Sequence, residues 1–166
     1  MKKMIFLQAF LHSIKLPNKK AMFQLNRIGM DIAVLYMFIL LLLVSVPALI
    51  ERLTATSGPG TDLNIFFRII YFFIFYYLPM TVIVFLLLSL IAYISVGIAK
   101  LMKRKLRFAI LWKMSAYTTT IPFILYTIIA LIYPVSDSFL WLFLIYTFVF
   151  LIKIISVYPK RRIRTP

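Results

Sequence analysis

Four polar side chains recur at helical spacing in the largely apolar stretch 111–133. Lys113, Tyr117, Thr120 and Thr127 align on one helix face, because residues three, four or seven positions apart lie on the same side. Polar residues inside a membrane helix are costly and usually face the protein interior or a wet cavity. The spacing predicts an intramembrane polar face. It allows a kinked helix whose threonines bind its own backbone, a substrate or lipid cleft, or hydrogen bonds between helices.

Two further residues, Pro122 and Asp31, bear on this face. Pro122 removes the backbone donor that would bind the carbonyl of Thr118, which predicts a helix kink repaired by the hydroxyls of Thr118 and Thr119. Lys113 lies close to one end of the stretch, where its ammonium can reach the lipid headgroups. A buried ion pair between Lys113 and Asp31 is the alternative.

Catalysis and metal binding have few residues to draw on. The 166-residue chain contains no cysteine, one histidine (His12) and four acidic residues. Thiol chemistry and a histidine-rich metal site therefore lack ligands, and a paired acid and base is not expected. The sequence contains no Gly-rich phosphate loop, nucleophile elbow or zinc motif. We expect a non-enzymatic protein with no catalytic residue, metal or cofactor.

The composition indicates a membrane protein. Hydrophobic residues make up 64% of the chain and charged residues 14%, whereas soluble domains carry roughly 25% charged residues. Lipid must be the solvent for most of this surface. We predict an all-α fold, a polytopic membrane helical bundle with four transmembrane helices, an N-terminal amphipathic helix and an outer-leaflet helix.

The apolar segments give the expected boundaries. Residues 1–20 are predicted to form the amphipathic interfacial segment, 21–157 a single transmembrane bundle, and 158–166 a disordered basic tail. Within the bundle, spans are expected at about 32–50, 80–99, 108–133 and 139–157. The first connection, 51–64, contains a Ser-Gly-Pro-Gly turn signal.

The stretch from Ile65 to Ala99 is too long for one crossing, because as a helix it would measure about 50 Å. Pro79 is predicted to divide it into a span and an outer interfacial helix at 62–78. Placing Arg68 at the bilayer centre would cost about 2.5–3.5 kcal/mol, which favours the interfacial position. The alternative is an additional crossing, which would reverse the topology of the rest of the chain.

Basic residues set the predicted orientation. They concentrate before the first span, in the tail, and in a cluster between the second and third spans: Lys100, Lys103, Arg104, Lys105 and Arg107. The positive-inside rule then places both termini and this cluster in the cytoplasm, in a multi-pass protein of the plasma membrane. The net charge of +15 indicates anionic lipids as partners, not nucleic acid, because the basic residues border apolar runs.

Two stretches carry a resemblance to a known family. Phe10, Ser13 and Pro17, followed by Arg27, Gly29, Tyr36 and Pro47, resemble the start of Gram-positive bacterial membrane proteins grouped as domain of unknown function 1189. Residues 111–125, Leu-Trp-Lys-Met-Ser-Ala-Tyr-Thr-Thr-Thr-Ile-Pro-Phe-Ile-Leu, are similar to the family's other recognisable stretch. The connection after the first span is shorter here than in the family.

The resemblance implies a polytopic membrane protein without an assigned reaction. One family member is named as a maltodextrin utilisation protein, which implies a link to sugar import. From the residues we expect an accessory or scaffold subunit of another membrane protein complex. The alternative is a small transporter or substrate-binding membrane subunit that uses the polar face of the third span.

Overall fold

The computed structural model describes residues 2–58, 60–133, 135 and 138–159. All regular elements within these ranges are helical, so the predicted all-α class is confirmed. The helices are α1 (Lys2–Ile14), α2 (Lys19–Arg27), α3 (Met30–Thr54), α4 (Ile65–Phe72), a π-helical turn (Phe73–Tyr77), α5 (Leu78–Leu101), α6 (Phe108–Thr118), α7 (Thr120–Ile132) and α8 (Ser138–Val157).

Three helical stretches are long and apolar enough to cross a membrane. They are Met30–Thr54 and Phe108–Ile132, each of 25 residues, and Ile65–Leu101, of 37 residues. Helix α8 has 20 residues, and the apolar stretch described within it is the shorter Ile145–Val157. Four crossings therefore stay a prediction. Residues 136–137 and 160–166, which include Asp137 and most of the predicted basic tail, lie outside the described residues.

The N-terminal segment forms two helices where one was predicted. Asn18 begins α2, because its side-chain oxygen accepts a hydrogen bond from the Lys20 amide at 3.1 Å. Helix α1 buries Ala9 and Ser13 and exposes Leu7 on its opposite side. It packs against α6 and α7, so the N-terminal helices are part of the bundle. A position within the membrane interface remains a prediction.

The helix from Ile65 to Leu101 continues past Pro79. In a regular α-helix the ring of Pro79 would clash with the carbonyl of Phe75. The wider π-helical turn Phe73–Tyr77 ends just before this proline and accommodates it. Pro79 therefore coincides with a π-helical turn in one continuous helix, not with the end of a separate helix. Whether residues 62–78 cross the membrane or lie on it stays a prediction.

Arg68 organises the connection between α3 and α4. Its Nε donates to the Leu63 carbonyl at 3.0 Å and one terminal nitrogen donates to the Leu53 carbonyl at 3.3 Å. The other terminal nitrogen donates to the Thr61 carbonyl. The guanidinium thus joins the end of α3 to the turn, where Gly58 has a φ of +116° that other residues rarely adopt.

The bundle is built around the third apolar helix. Helix α5 runs antiparallel to α3, since Phe85 contacts Phe38 while Arg68 reaches the end of α3. Helix α6 packs against α1, α2, α3, α5 and α8, and α7 continues along α3. Tyr158, which was predicted to begin the tail, is buried and lies 5.6 Å from Phe23 of α2, ring to ring. The packed bundle therefore includes Tyr158.

Candidate functional site

Helix α6 is enclosed on every side from Leu111 onward. Each residue from Leu111 to Thr120 is at most 8% exposed, and five helices surround it. A helix that is enclosed all round leaves no side to water or lipid, so its polar groups have only the protein to bind. Three of the four polar residues predicted to form one face, Lys113, Tyr117 and Thr120, lie in this enclosed stretch. The fourth, Thr127, follows it.

Lys113 is bound by two backbone carbonyls. Its Nζ donates to the carbonyl of Asn26 at 2.8 Å and to the carbonyl of Ile28 at 2.7 Å. Both carbonyls lie at the C-terminal end of α2, which lacks partners for its last carbonyls and carries the negative end of the helix dipole. The ammonium therefore satisfies these carbonyls and ties α2 to α6.

Asp31 is not the partner of Lys113 in this structure. Its side chain is exposed in the first turn of α3. A Cβ at Gly29 would collide with the Oδ1 atom of Asp31, so the carboxylate folds back over the start of its own helix. The Lys113 ammonium bonds instead to the carbonyls of Asn26 and Ile28.

Two tyrosines and a threonine form the second polar contact of this site. The Tyr36 hydroxyl of α3 and the Thr120 Oγ1 of α7 lie 2.8 Å apart, both buried. The Tyr36 and Tyr117 rings contact at 5.3 Å between centroids. The Tyr117 hydroxyl is buried and has no hydrogen-bond partner among the described residues. The site therefore contains one bridge between helices and one unpaired hydroxyl beside it.

The remaining threonines bind carbonyls of their own helices. Thr118 donates to the Met114 carbonyl at 2.7 Å, and Thr119 donates to the Ala116 carbonyl at 2.7 Å. Neither is bonded to the Thr118 carbonyl that Pro122 frees, contrary to the predicted repair. The helix accommodates Pro122 by a break at Thr119, between α6 and α7.

Thr127 lies further along α7 and is also buried. Its hydroxyl donates to the carbonyl of Phe123 at 2.8 Å. Buried threonines in membrane helices commonly satisfy their hydroxyl in this way. Thr127 therefore lies on the predicted face without joining the contact between Tyr36 and Thr120.

The basic cluster lies at one end of the bundle. The side chains of Lys100, Lys103, Lys105 and Arg107 are exposed, and Arg104 is half-buried. The Arg104 Nε is enclosed and has no partner among the described residues. Arg104 therefore differs in burial from the other four basic residues of the cluster, whose side chains are exposed.

An apolar groove opens between α7 and α8. It has a volume of about 470 Å³ and is lined by residues such as Leu125, Phe143 and Val149. None of its lining residues is charged. The groove is separate from Lys113 and Tyr117, which do not line it, so the polar contacts described above belong to the packed interior.

The sequence pattern identified the polar residues of this site but not their hydrogen-bond partners. Tyr36 is one of the polar side chains of the first span, with Ser45, but nothing in the pattern pairs it with Thr120, which lies more than eighty positions later. The acceptors of Lys113 are backbone carbonyls, which no residue type marks. Arg68 was placed at the lipid interface, and its binding to four carbonyls of one connection was not predicted.

Comparison with known proteins identifies one family. The family model described as "Protein of unknown function (DUF1189)" matches residues 60–155. The matched range contains the stretch 111–125 and excludes the N-terminal run Phe10–Pro47 that also suggested the family. A search of curated proteins finds no match, and neither does a search of solved structures.

Replacing Lys113 with methionine tests its role in fastening α2. The substitution keeps the volume of the side chain but leaves the Asn26 and Ile28 carbonyls without their donor. We expect a loss of about 2 kcal/mol or more in stability, because a hydrogen bond to a charged group contributes about 1.5–3 kcal/mol. Thermal unfolding of the purified chain in detergent measures it.

Lys100→Met is the matched control, since Lys100 is exposed on α5. We expect this control to unfold at the temperature of the unmodified chain. Equal unfolding temperatures for Lys113→Met and Lys100→Met would contradict the role assigned to Lys113.

Proposed function

The chain belongs to the DUF1189 family of proteins of unknown function, and we propose that it is a non-enzymatic accessory or scaffold subunit of another membrane protein complex. One observation carries the proposal: the buried polar residues of helix α6 and the start of α7, apart from the Tyr117 hydroxyl, are bonded to the protein itself. Lys113 binds backbone carbonyls, Tyr36 binds Thr120, and the threonines bind their own helices. Such a site holds helices together, which suits a scaffold better than a transport path.

A partner surface is available at the edge of the bundle. Helix α4 and the π-helical turn pack against α3 and otherwise expose aromatic side chains, with Phe66 and Phe75 each 64% exposed and Phe67 57%. Aromatic residues dominate the binding energy of protein interfaces. Arg68 and the Tyr77 hydroxyl, which donates to the Phe38 carbonyl at 2.9 Å, hold this edge rigidly against α3. A rigid aromatic edge is what a helix of another membrane protein can pack against.

The family resemblance indicates which complex to examine first. The resemblance implies a link to sugar import, so a sugar importer is the first candidate partner complex. The proposal further places the chain in the plasma membrane with both termini in the cytoplasm. The basic cluster supports that orientation through the cytoplasmic preference of lysine and arginine.

The combined substitution Phe66→Ala, Phe67→Ala and Phe75→Ala tests the partner surface. We expect at least a tenfold loss of co-purifying membrane protein after mild detergent extraction, because interface anchors of this kind contribute about 2 kcal/mol or more. The measurement is quantitative mass spectrometry of proteins that co-purify with the tagged chain.

The control is the combined substitution Leu86→Ala, Leu87→Ala and Leu90→Ala. These leucines are exposed on α5, with Leu86 65% and Leu90 55% exposed. We expect the control to retain its co-purifying proteins. Retention by both variants, or loss by both, would reject the aromatic edge as the partner surface.

A second candidate function is a small transporter or substrate-binding subunit. The unpaired Tyr117 hydroxyl favours it, because a buried hydroxyl without a partner is costly and can mark a place for a ligand. Lys113, Tyr117 and Thr120 would then contact the substrate. Asp31 would lie outside this set, at the exposed start of α3.

The two candidates differ in their response to sugar ligands. A scaffold is expected to show no change in unfolding temperature with maltose or maltotriose. It is also expected to remain functional with Thr120→Val, with a loss of about 1 kcal/mol in stability because the hydrogen bond to Tyr36 is removed. A substrate-binding subunit is expected to be stabilised by a sugar and to lose that effect in Thr120→Val and Tyr117→Phe. Sugar-dependent stabilisation that these substitutions abolish would replace the scaffold proposal.

A further inference from the structure

Most of the unpaired polar atoms in the described part of the bundle lie at its basic end. Four buried side-chain polar atoms lack a hydrogen-bond partner among the described residues: Ser95 Oγ, Arg104 Nε, Tyr117 OH and Tyr158 OH. Ser95 lies in the last two turns of α5, Arg104 follows α5, and Tyr158 follows α8, which packs beside α5. Buried donors without partners are uncommon and each calls for an explanation, such as a bound ligand.

The backbone around Arg104 is fixed. The Arg104 amide donates to the Ala99 carbonyl at 2.8 Å, and the Lys103 amide donates to the Lys100 carbonyl at 3.0 Å. Together with the left-handed φ of 54° at Lys103, these bonds form a Schellman motif that ends α5. Leu106 is buried just beyond it. Arg104 is therefore held between two anchored points, and its guanidinium is enclosed at Nε.

The charges at this end favour an anion as the ligand. The connection from Met102 to Arg107 contains only basic charged residues, and Lys103, Lys105 and Arg107 are exposed around Arg104. Arg104 can donate a hydrogen bond through its Nε–H group, and Tyr158 can donate one through its hydroxyl. The Tyr158 side chain is only 7% exposed. Burial raises the pKa of Tyr158 above its usual value, so this hydroxyl stays a donor at physiological pH. Donors and positive charge together are the features that bind phosphate.

The position of this end indicates a lipid as the source of the phosphate. Phe85 of α5 contacts Phe38 of α3. The helical distance along α5 from Phe85 to its end at Leu101 is about 24 Å. The distance along α3 from Phe38 back to its start at Met30 is about 12 Å. The end of α5 therefore extends beyond the start of α3. Leu101, 85% exposed, lies next to the basic cluster, which combines a charged and an apolar surface as a phospholipid requires.

We propose that Arg104, with Tyr158 and the surrounding lysines, binds the phosphate of an anionic phospholipid at this end of the bundle. The inference goes beyond the accessory function and does not depend on it, because it concerns lipid, not a protein partner. In this site Arg104 is the central donor. The exposed lysines attract the headgroup, and Leu101 contacts the acyl chains.

The test uses the purified full-length chain in a neutral detergent. Phosphatidylglycerol, phosphatidylcholine and inorganic phosphate are added in turn, with thermal unfolding and native mass spectrometry as readouts. We expect phosphatidylglycerol to raise the unfolding temperature and to remain bound, and the other two to do neither. A rise of the same size with inorganic phosphate would identify a soluble anion as the ligand and overturn the lipid assignment.

Arg104→Gln and Lys105→Gln separate a built site from general attraction. Both remove one positive charge from the same connection, but only Arg104 is enclosed. We expect Arg104→Gln to weaken phosphatidylglycerol binding at least fivefold and Lys105→Gln to weaken it less than twofold. Equal effects of the two substitutions would overturn the proposal in favour of nonspecific charge attraction.

Two milder substitutions keep the test valid if Arg104→Gln fails to fold. Arg104→Lys keeps the charge but removes the Nε–H donor and the planar fork that suits phosphate. Tyr158→Phe keeps the ring that contacts Phe23 and removes only the hydroxyl. We expect each to weaken phosphatidylglycerol binding at least threefold. Unchanged binding in both would contradict the proposed site.

Discussion

A hydrocarbon layer offers no water to buried polar groups, and this constraint accounts for the interior of the bundle. Helix α6 is enclosed by five other helices, so its polar groups have only the protein itself to bind. Lys113 binds two carbonyls at the end of α2, and Thr120, the first residue of α7, binds Tyr36. These bonds join α6 and the start of α7 to their neighbours. Lys113 ties α2 to the bundle through the carbonyls of Asn26 and Ile28.

The same constraint gives the two ends of the bundle different characters. At one end Arg68 binds carbonyls of the first connection and leaves that end closed by internal hydrogen bonds. At the other end Arg104 and Tyr158 keep buried donors without partners among the described residues. The first arrangement supports a rigid aromatic edge for a protein partner, and the second supports a phosphate site. Both suit a protein that acts by holding its neighbours in place.

The sequence predicted the helical class and the family, since apolar length and the motif around residues 111–125 are both local features. It also selected Lys113, Tyr117, Thr120 and Thr127, which the structure buries. It could not supply their partners, because the carbonyls of Asn26 and Ile28 depend on where a connection folds and not on residue type. Helix α2 was missed because its nine residues carry too few apolar positions to predict a span. The π-helical turn before Pro79 was missed because a proline in an apolar run indicates a break as readily as a wider turn.

The proposed roles depend most on the proposed orientation of the bundle, with the connection 102–107 on the cytoplasmic side and the connection 55–64 on the other. The chain has no cysteine, so Ser57→Cys and Lys105→Cys each introduce a single thiol at an exposed position. Labelling with a membrane-impermeant maleimide, in intact and in permeabilised cells, measures which side each thiol faces. The account predicts that Ser57→Cys is labelled in intact cells and Lys105→Cys only after permeabilisation. Labelling of Lys105→Cys in intact cells would contradict it.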